Sequence, residues 1–235
     1  MLSFKRNYFN YNFEQILPFI NFKKINWKYF GVSKENELKF KDKFNIFLEK
    51  IKKENLIFVK GVYKFYKAYS KENSILVLYK GKEIEFSFPR QSKGEKLCIS
   101  DFLKSNEPFE LICFFILTSG IGIKEKIKKL NKKGEFLFSY FLDVLSIQAA
   151  ESGAELLEIE VSKKWSVLKK YKGKRFSFGY PPCPDLSYQK ILFKILEPEK
   201  IGIKLTENFM MEPESSVSGF IINNPNAKYF NVEEK

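Results

Sequence analysis

The sequence predicts an α+β fold built on a mostly antiparallel sheet. Three observations carry that expectation. Two strand-like runs, Ser74 to Tyr79 and Glu83 to Phe88, flank Lys80-Gly81-Lys82 and read as a hairpin, whose strands are antiparallel by construction. Phe109 to Leu117 is a continuous apolar run of buried-strand length. Helical spacing marks several separate segments, and hairpin strands combined with several helices indicate α+β.

In chain order, residues 1 to 40 are aromatic and irregular, with a helix-like patch from Glu14 to Phe22 that Pro18 disrupts. Lys41 to Glu54 spaces Phe44, Ile46, Phe47 and Ile51 as an amphipathic helix, and Leu56 to Tyr69 alternates as a strand. Pro89 ends the hairpin that follows. Ile99 to Leu103 is a short motif in which Ser100 or Asp101 can cap a helical turn. After the buried strand, Thr118-Ser-Gly-Ile-Gly122 leads into a lysine-rich helix to about Asn131. Gly134 to Val161 is the strongest helix signal. Tyr140, Val144 and Ile147 share one stripe on it, and the next position is Glu151. A carboxylate on an apolar stripe is either paired or used, or helical drift turns it to solvent with Glu155 and Glu158. Trp165 to Lys174 is basic and polar. Ser187 to Leu196 reads as a short helix capped by Asp185 or Ser187. Gly202 to Thr206, Val217 to Ile222 and Lys228 to Val232 are strand candidates, separated by turns at Glu212-Pro-Glu214 and Asn223-Asn-Pro-Asn226.

Composition narrows function mainly by exclusion. A chain of 235 residues, 44% hydrophobic and 17% aromatic, can bury a sizeable core as one large or two small domains. No apolar run reaches the roughly 18 to 20 residues of a membrane span. The N-terminus lacks a clean apolar signal core, so a cytoplasmic location is expected. With no histidine, the common His-based metal sites and Ser-His or Cys-His catalysis are ruled out, and the three scattered cysteines suggest neither a zinc site nor a disulfide framework. The formal charge of +13 is almost all lysine, spread evenly, and compositional bias accounts for much of it. Against that background the three arginines, Arg6, Arg90 and Arg175, stand out, because a planar fork grips carboxylates as lysine cannot.

Arg175-Phe-Ser-Phe-Gly-Tyr-Pro-Pro-Cys-Pro-Asp185 is the most unusual stretch. Its prolines make a stiff run, Gly179 permits an uncommon backbone angle, and a ring and a guanidinium sit beside them. Either it is a small-molecule site or it is a proline-rich connector, and nothing in it looks like a core strand.

The C-terminal third resembles the activation, S-adenosylmethionine-binding, domain of cobalamin-dependent methionine synthase. The resemblance rests on Arg175-x-x-x-Gly179-Tyr180-Pro-x-Cys183-Pro184-Asp185, on Glu199-Lys-Ile-Gly202-Ile-Lys-Leu-Thr-Glu207, on Met211-x-Pro213-x-x-Ser216-Val-Ser-Gly219 and on Pro225-x-x-Lys228-Tyr229. Weaker matches follow in the same order: Ser100-Asp101-Phe102, Thr118-Ser-Gly120 and Ala150-Glu151-x-x-Ala154-Glu155. The resemblance implies one activation-like domain over residues 1–235, with residues 1–50 as a poorly matched extension. It implies a central twisted antiparallel sheet with flanking helices.

The implied function is reactivation. One-electron reduction of cob(II)alamin, from flavodoxin or a similar acidic donor, is coupled to methyl transfer from S-adenosylmethionine. The implied partner is a cobalamin-binding methionine synthase lacking its own activation domain, with neither nucleic acid nor membrane involved. The implied ligand residues are Asp101, Glu151, Arg175, Ser177, Gly179, Tyr180 and Tyr229, with no metal site and no self-contained catalytic residues. Arg175 suits the ligand carboxylate, and either acid suits its ammonium or ribose hydroxyls. Leu186 departs from a histidine common in the family. Two alternatives are the same ligand chemistry serving another corrinoid methyltransferase, and a basic RNA-binding module.

Overall fold

The computed structural model describes residues 3–32, 36–105, 109–166 and 173–232. Its organising element is a seven-stranded, wholly antiparallel sheet in the order β4-β3-β2-β5-β9-β6, with β1 also paired to β2. The strands are β1 (Asn7–Asn12), β2 (Phe58–Lys71), β3 (Ser74–Tyr79), β4 (Lys82–Ser87), β5 (Glu110–Thr118), β6 (Lys174–Ser177) and β9 (Ser216–Ile222). A separate ribbon pairs β7 (Lys204–Leu205) with β8 (Met211–Glu212). The β3–β4 turn has positive φ at both Lys80 (51°) and Gly81 (76°), the geometry whose twist matches a two-residue hairpin.

Both faces of the sheet are covered, so the central strands bury alternate residues in two cores. Cys113, Phe115 and Leu117 of β5 face one core, and Ile112, Phe114 and Ile116 face the other. Burial on both sides explains why β5 reads as an unbroken apolar run. The first core is roofed by α5 (Phe136–Ser166), with α1 (Phe13–Ile16), α2 (Phe22–Phe30), α3 (Glu37–Lys53) and α4 (Ile123–Lys132) around it. The second lies under α6 (Gln189–Leu196) and several short 3-10 turns. Each buried phenylalanine of these cores contributes roughly 1.5–3 kcal/mol of transfer free energy.

The described residues of the N-terminal segment, 3–32 and 36–50, are part of this architecture. Tyr11, Phe13, Ile16, Ile20, Ile25 and Phe44 all lie in the first core. Pro18 falls in a 3-10 turn, Leu17–Phe19, that separates α1 from α2. It therefore divides the expected helical patch into two helices.

Four expectations need correction. The strand expected at Lys228–Val232 is absent, and these residues run as irregular chain anchored by buried Phe230. The strand expected at Gly202–Thr206 shrinks to two paired residues. The Arg175 stretch begins as a strand after all: β6 pairs with β9 and buries Phe176. The stripe Tyr140, Val144, Ile147 is not the buried one. Tyr140 (45%) and Ile147 (38%) are exposed, while Phe141, Leu142, Leu145 and Ala149 face the core. Of the basic connector 165–174, residues 167–172 lie outside the described residues.

Among the described residues no helix is long and apolar enough to cross a membrane.

Candidate functional site

The site forms where α5 passes the edge strand β6. Alternation in β6 buries Phe176 in the second core and turns Arg175 and Ser177 to the α5 face. Arg175 directs both terminal nitrogens at one oxygen of Glu151, each 3.1 Å from Oε2, and Nη1 also donates to Ser177 Oγ at 3.1 Å. The other oxygen, Oε1, accepts the Tyr180 hydroxyl at 2.8 Å. One carboxylate thus joins the guanidinium and the phenol. Gly219, opposite Ser177 across the β6–β9 ladder, makes the close approach possible. A Cβ on Gly219 would stand 2.2 Å from the Phe176 carbonyl oxygen.

The proline run positions Tyr180. Gly179 has φ of +85°, which L side chains rarely adopt, and its N–H donates to the Cys183 carbonyl at 2.9 Å. The Cys183 N–H returns a bond to the Tyr180 carbonyl at 2.8 Å. The buried Cys183 side chain therefore anchors a closed loop that leaves the Tyr180 ring half-exposed. Asp185 then caps the next turn by accepting from the Ser187 N–H at 2.8 Å. Leu186 packs against Gly179, approaching its absent Cβ position to 3.2 Å.

A hollow of about 220 Å³ opens over this cluster, lined by Glu151, Glu158, Lys174, Arg175, Ser177, Tyr180 and Tyr229. Tyr229 also lines a larger groove of about 1250 Å³, whose walls come from the Pro89–Leu97 loop, from Pro181 and Pro184, and from Lys228 to Val232. The two spaces meet at that ring. Lys228 and Glu95 pair across the groove at 2.6 Å.

The electrostatics follow from burial. The Tyr180 phenol is pushed up to about 12, first by burial and then by the Glu151 charge, so it stays a donor at neutral pH. Burial raises the Glu158 carboxyl above its ordinary range, opposed by Lys174 and Arg175, and burial also raises Tyr229. Glu158 Oε2 lies 3.9 Å from Arg175 Nε. Two carboxylates and two cations, Lys174 and Arg175, nearly balance the hollow.

Five of the expected residues, Glu151, Arg175, Ser177, Tyr180 and Tyr229, line the same hollow, and Gly179 forms the turn behind it. Asp101 is held elsewhere. Both its oxygens are gripped by Arg90 at 2.7 Å, and Oδ2 accepts the Cys98 N–H at 2.9 Å. Arg90 also donates to the Lys96 carbonyl at 2.7 Å and to Asn73 Oδ1 at 2.8 Å. The pair therefore braces the loop that walls the groove. The Arg90 hydrogen bonds hold the Asp101 carboxyl below its ordinary range. Glu158 and Lys174 escaped the sequence reading. Glu158 lies seven residues after Glu151, two helical turns along the same face, a spacing that would have found it.

The sheet edge and the longest helix of this α+β domain thus enclose a charged, aromatic hollow that shares the Tyr229 ring with a larger groove. The family model described as vitamin B12 dependent methionine synthase, activation domain, matches residues 21–234, and the chain belongs to that family. It is 32% identical over 200 residues to a methionine synthase of Mycobacterium tuberculosis, covering 73% of this chain and 17% of that protein. It is 29% identical over 206 residues to the Mycobacterium leprae methionine synthase, covering 75% of this chain and 17% of that one. The chain thus spans about a sixth of the length of these relatives. Its fold matches a crystal structure described as the MetH reactivation domain bound to AdoHcy, with a TM-score of 0.83 and 22% identity over 99% of this chain and 82% of that one.

Proposed function

We propose that the chain binds S-adenosylmethionine across the hollow and the adjoining groove. In this reading it presents the methyl group to a cobalamin carried by a methionine synthase. The observation that carries the reading is the Arg175–Glu151–Tyr180 cluster in a member of this family. The ligand's amino-acid end brings a carboxylate and an ammonium together. Arg175 offers a fork to the first, and Glu151 and Glu158 offer oxygens to the second. Tyr229, where hollow meets groove, offers a ring to the adenosine. A hollow of about 220 Å³ takes only the amino-acid end, and the groove supplies the rest of the roughly 300–1,000 Å³ such ligands occupy.

Bound in this way, the donor supplies a sulfonium methyl for transfer to reduced cobalamin, leaving S-adenosylhomocysteine. The chain's residues bind and orient; the leaving group departs as a neutral thioether and needs no protein acid. The electron that reduces cob(II)alamin comes from an acidic donor such as flavodoxin, whose encounter the basic surface favours.

Reconstitution tests this. The chain is mixed with S-adenosylmethionine, a low-potential reductant and the organism's methionine synthase held as cob(II)alamin. Methylcobalamin absorbance is expected only when all are present. A binding-competent chain that gives none would redirect the reading to another corrinoid methyltransferase.

A further inference from the structure

A second concave site lies on the α6 side of the sheet, well removed in the fold from β6. It is a hollow of about 470 Å³ lined by residues of β2 and β3, the N-terminal segment and the end of α6. Arg6, Lys64 and Lys80 bring positive charge to it, against a single lining acid, Glu197. Arg6 is already committed: it pairs with Glu197 at 2.5 Å and donates to the Ile195 carbonyl at 3.1 Å. Lys64 and Lys80 have no carboxylate within ion-pair distance among the described residues. Instead the Lys64 ammonium sits 4.7 Å from the centre of the Tyr66 ring and 5.8 Å from that of Tyr79, and Lys80 sits 5.3 Å from Tyr79.

This is a costly way to leave cations. Burial and the neighbouring charges of Arg6 and Lys80 lower the Lys64 ammonium below its usual range. Two like charges resting on aromatic faces in a concavity ask for an anion that carries a flat ring. An incoming phosphate would draw the ammoniums off Tyr79, the less buried of the two tyrosines, and leave its face to the ring. The concavity argues for a small ligand over a macromolecule, because its volume lies within the range of small-molecule sites.

We propose that this hollow binds a mononucleotide-class ligand. Lys64 and Lys80 hold its phosphate, and Tyr79 contacts its base.

The test is calorimetry on the full chain with AMP, adenosine, inorganic phosphate and a short oligonucleotide as separate titrants. AMP is expected to bind saturably and tighter than either adenosine or phosphate. Lys64→Met, which keeps the apolar stem, and Lys80→Glu, at an exposed turn, are each expected to weaken AMP by about tenfold or more, the loss of one charge-assisted contact. Arg175→Ala is expected to leave AMP binding unchanged, which separates this site from the one proposed for S-adenosylmethionine. The proposal is overturned if AMP binding survives both lysine variants, if it is lost in Arg175→Ala, if phosphate binds as tightly as AMP, or if only the oligonucleotide binds.

Discussion

The Tyr180 hydroxyl donates to Glu151 across 2.8 Å, and the same carboxylate receives both terminal nitrogens of Arg175 on its other oxygen. Glu151 is thus the hinge of the site, fixing the phenol and the guanidinium relative to one another. Glu151→Gln is expected to weaken S-adenosylmethionine binding about 10- to 100-fold, since hydrogen bonds to charged groups are worth about 1.5–3 kcal/mol. Tyr180→Phe, which spares the ion pair, is expected to lose about tenfold or less. Calorimetry ranks the two, and a larger loss for Tyr180→Phe would contradict the assignment.

Glu158 gives a pH signature. Its carboxyl is raised by burial, so the folded chain holds this proton more readily than the unfolded chain. The stability it contributes is present below the ordinary carboxylate value and is lost as pH rises through the raised one. At neutral pH the charged Glu158 is therefore a net cost. Glu158→Gln is expected to raise Tm near neutral pH, with the gain vanishing in acid. A loss of Tm at neutral pH would mean that Arg175 and Lys174 outweigh burial.

Asp101 supports the groove through Arg90. Because its carboxyl is lowered, the stability it contributes is present above the ordinary value and fades as pH falls through the lowered one. Both side chains are about a third exposed, so screening limits the pair to about 0.5–1 kcal/mol. In a double-mutant cycle, Asp101→Asn and Arg90→Met are expected to show coupling of that order in thermal unfolding. Weaker ligand binding by Asp101→Asn alone, absent in Arg90→Met, would instead indicate direct contact with the ligand.

Gly219→Ala is expected to part β6 from β9. The added Cβ would meet backbone, which cannot swing aside as a flexible side chain can. A loss of about 1–3 kcal/mol in stability is expected from overpacking, with slower recovery of ligand binding than of global fold. Unchanged hydrogen-exchange protection at Phe176 would contradict this account.

Much of the fold was legible because its signals are local. The Lys80-Gly81 turn and the apolar run of β5 each carry their own period. β1 and β6 were not legible because their partners, β2 and β9, are distant in sequence. On α5, burial on several sides blurs the apolar stripe, so Tyr140 and Ile147 looked internal although they are exposed. In the site, Arg175 was conspicuous as one of three arginines in a lysine-rich chain, and each of the three grips an acid from another part of the chain. Which acid each would grip was not readable: Asp101, expected among the ligand residues, is held by Arg90.

The most direct test is calorimetric titration of the chain with S-adenosylmethionine, alongside Arg175→Lys. One saturable site is expected for the unaltered chain, with a loss of about tenfold or more in Arg175→Lys, because an ammonium cannot reproduce the planar fork. No binding by the unaltered chain, or equal binding by Arg175→Lys, would contradict the assignment of Arg175 and Glu151 as the ligand's anchor.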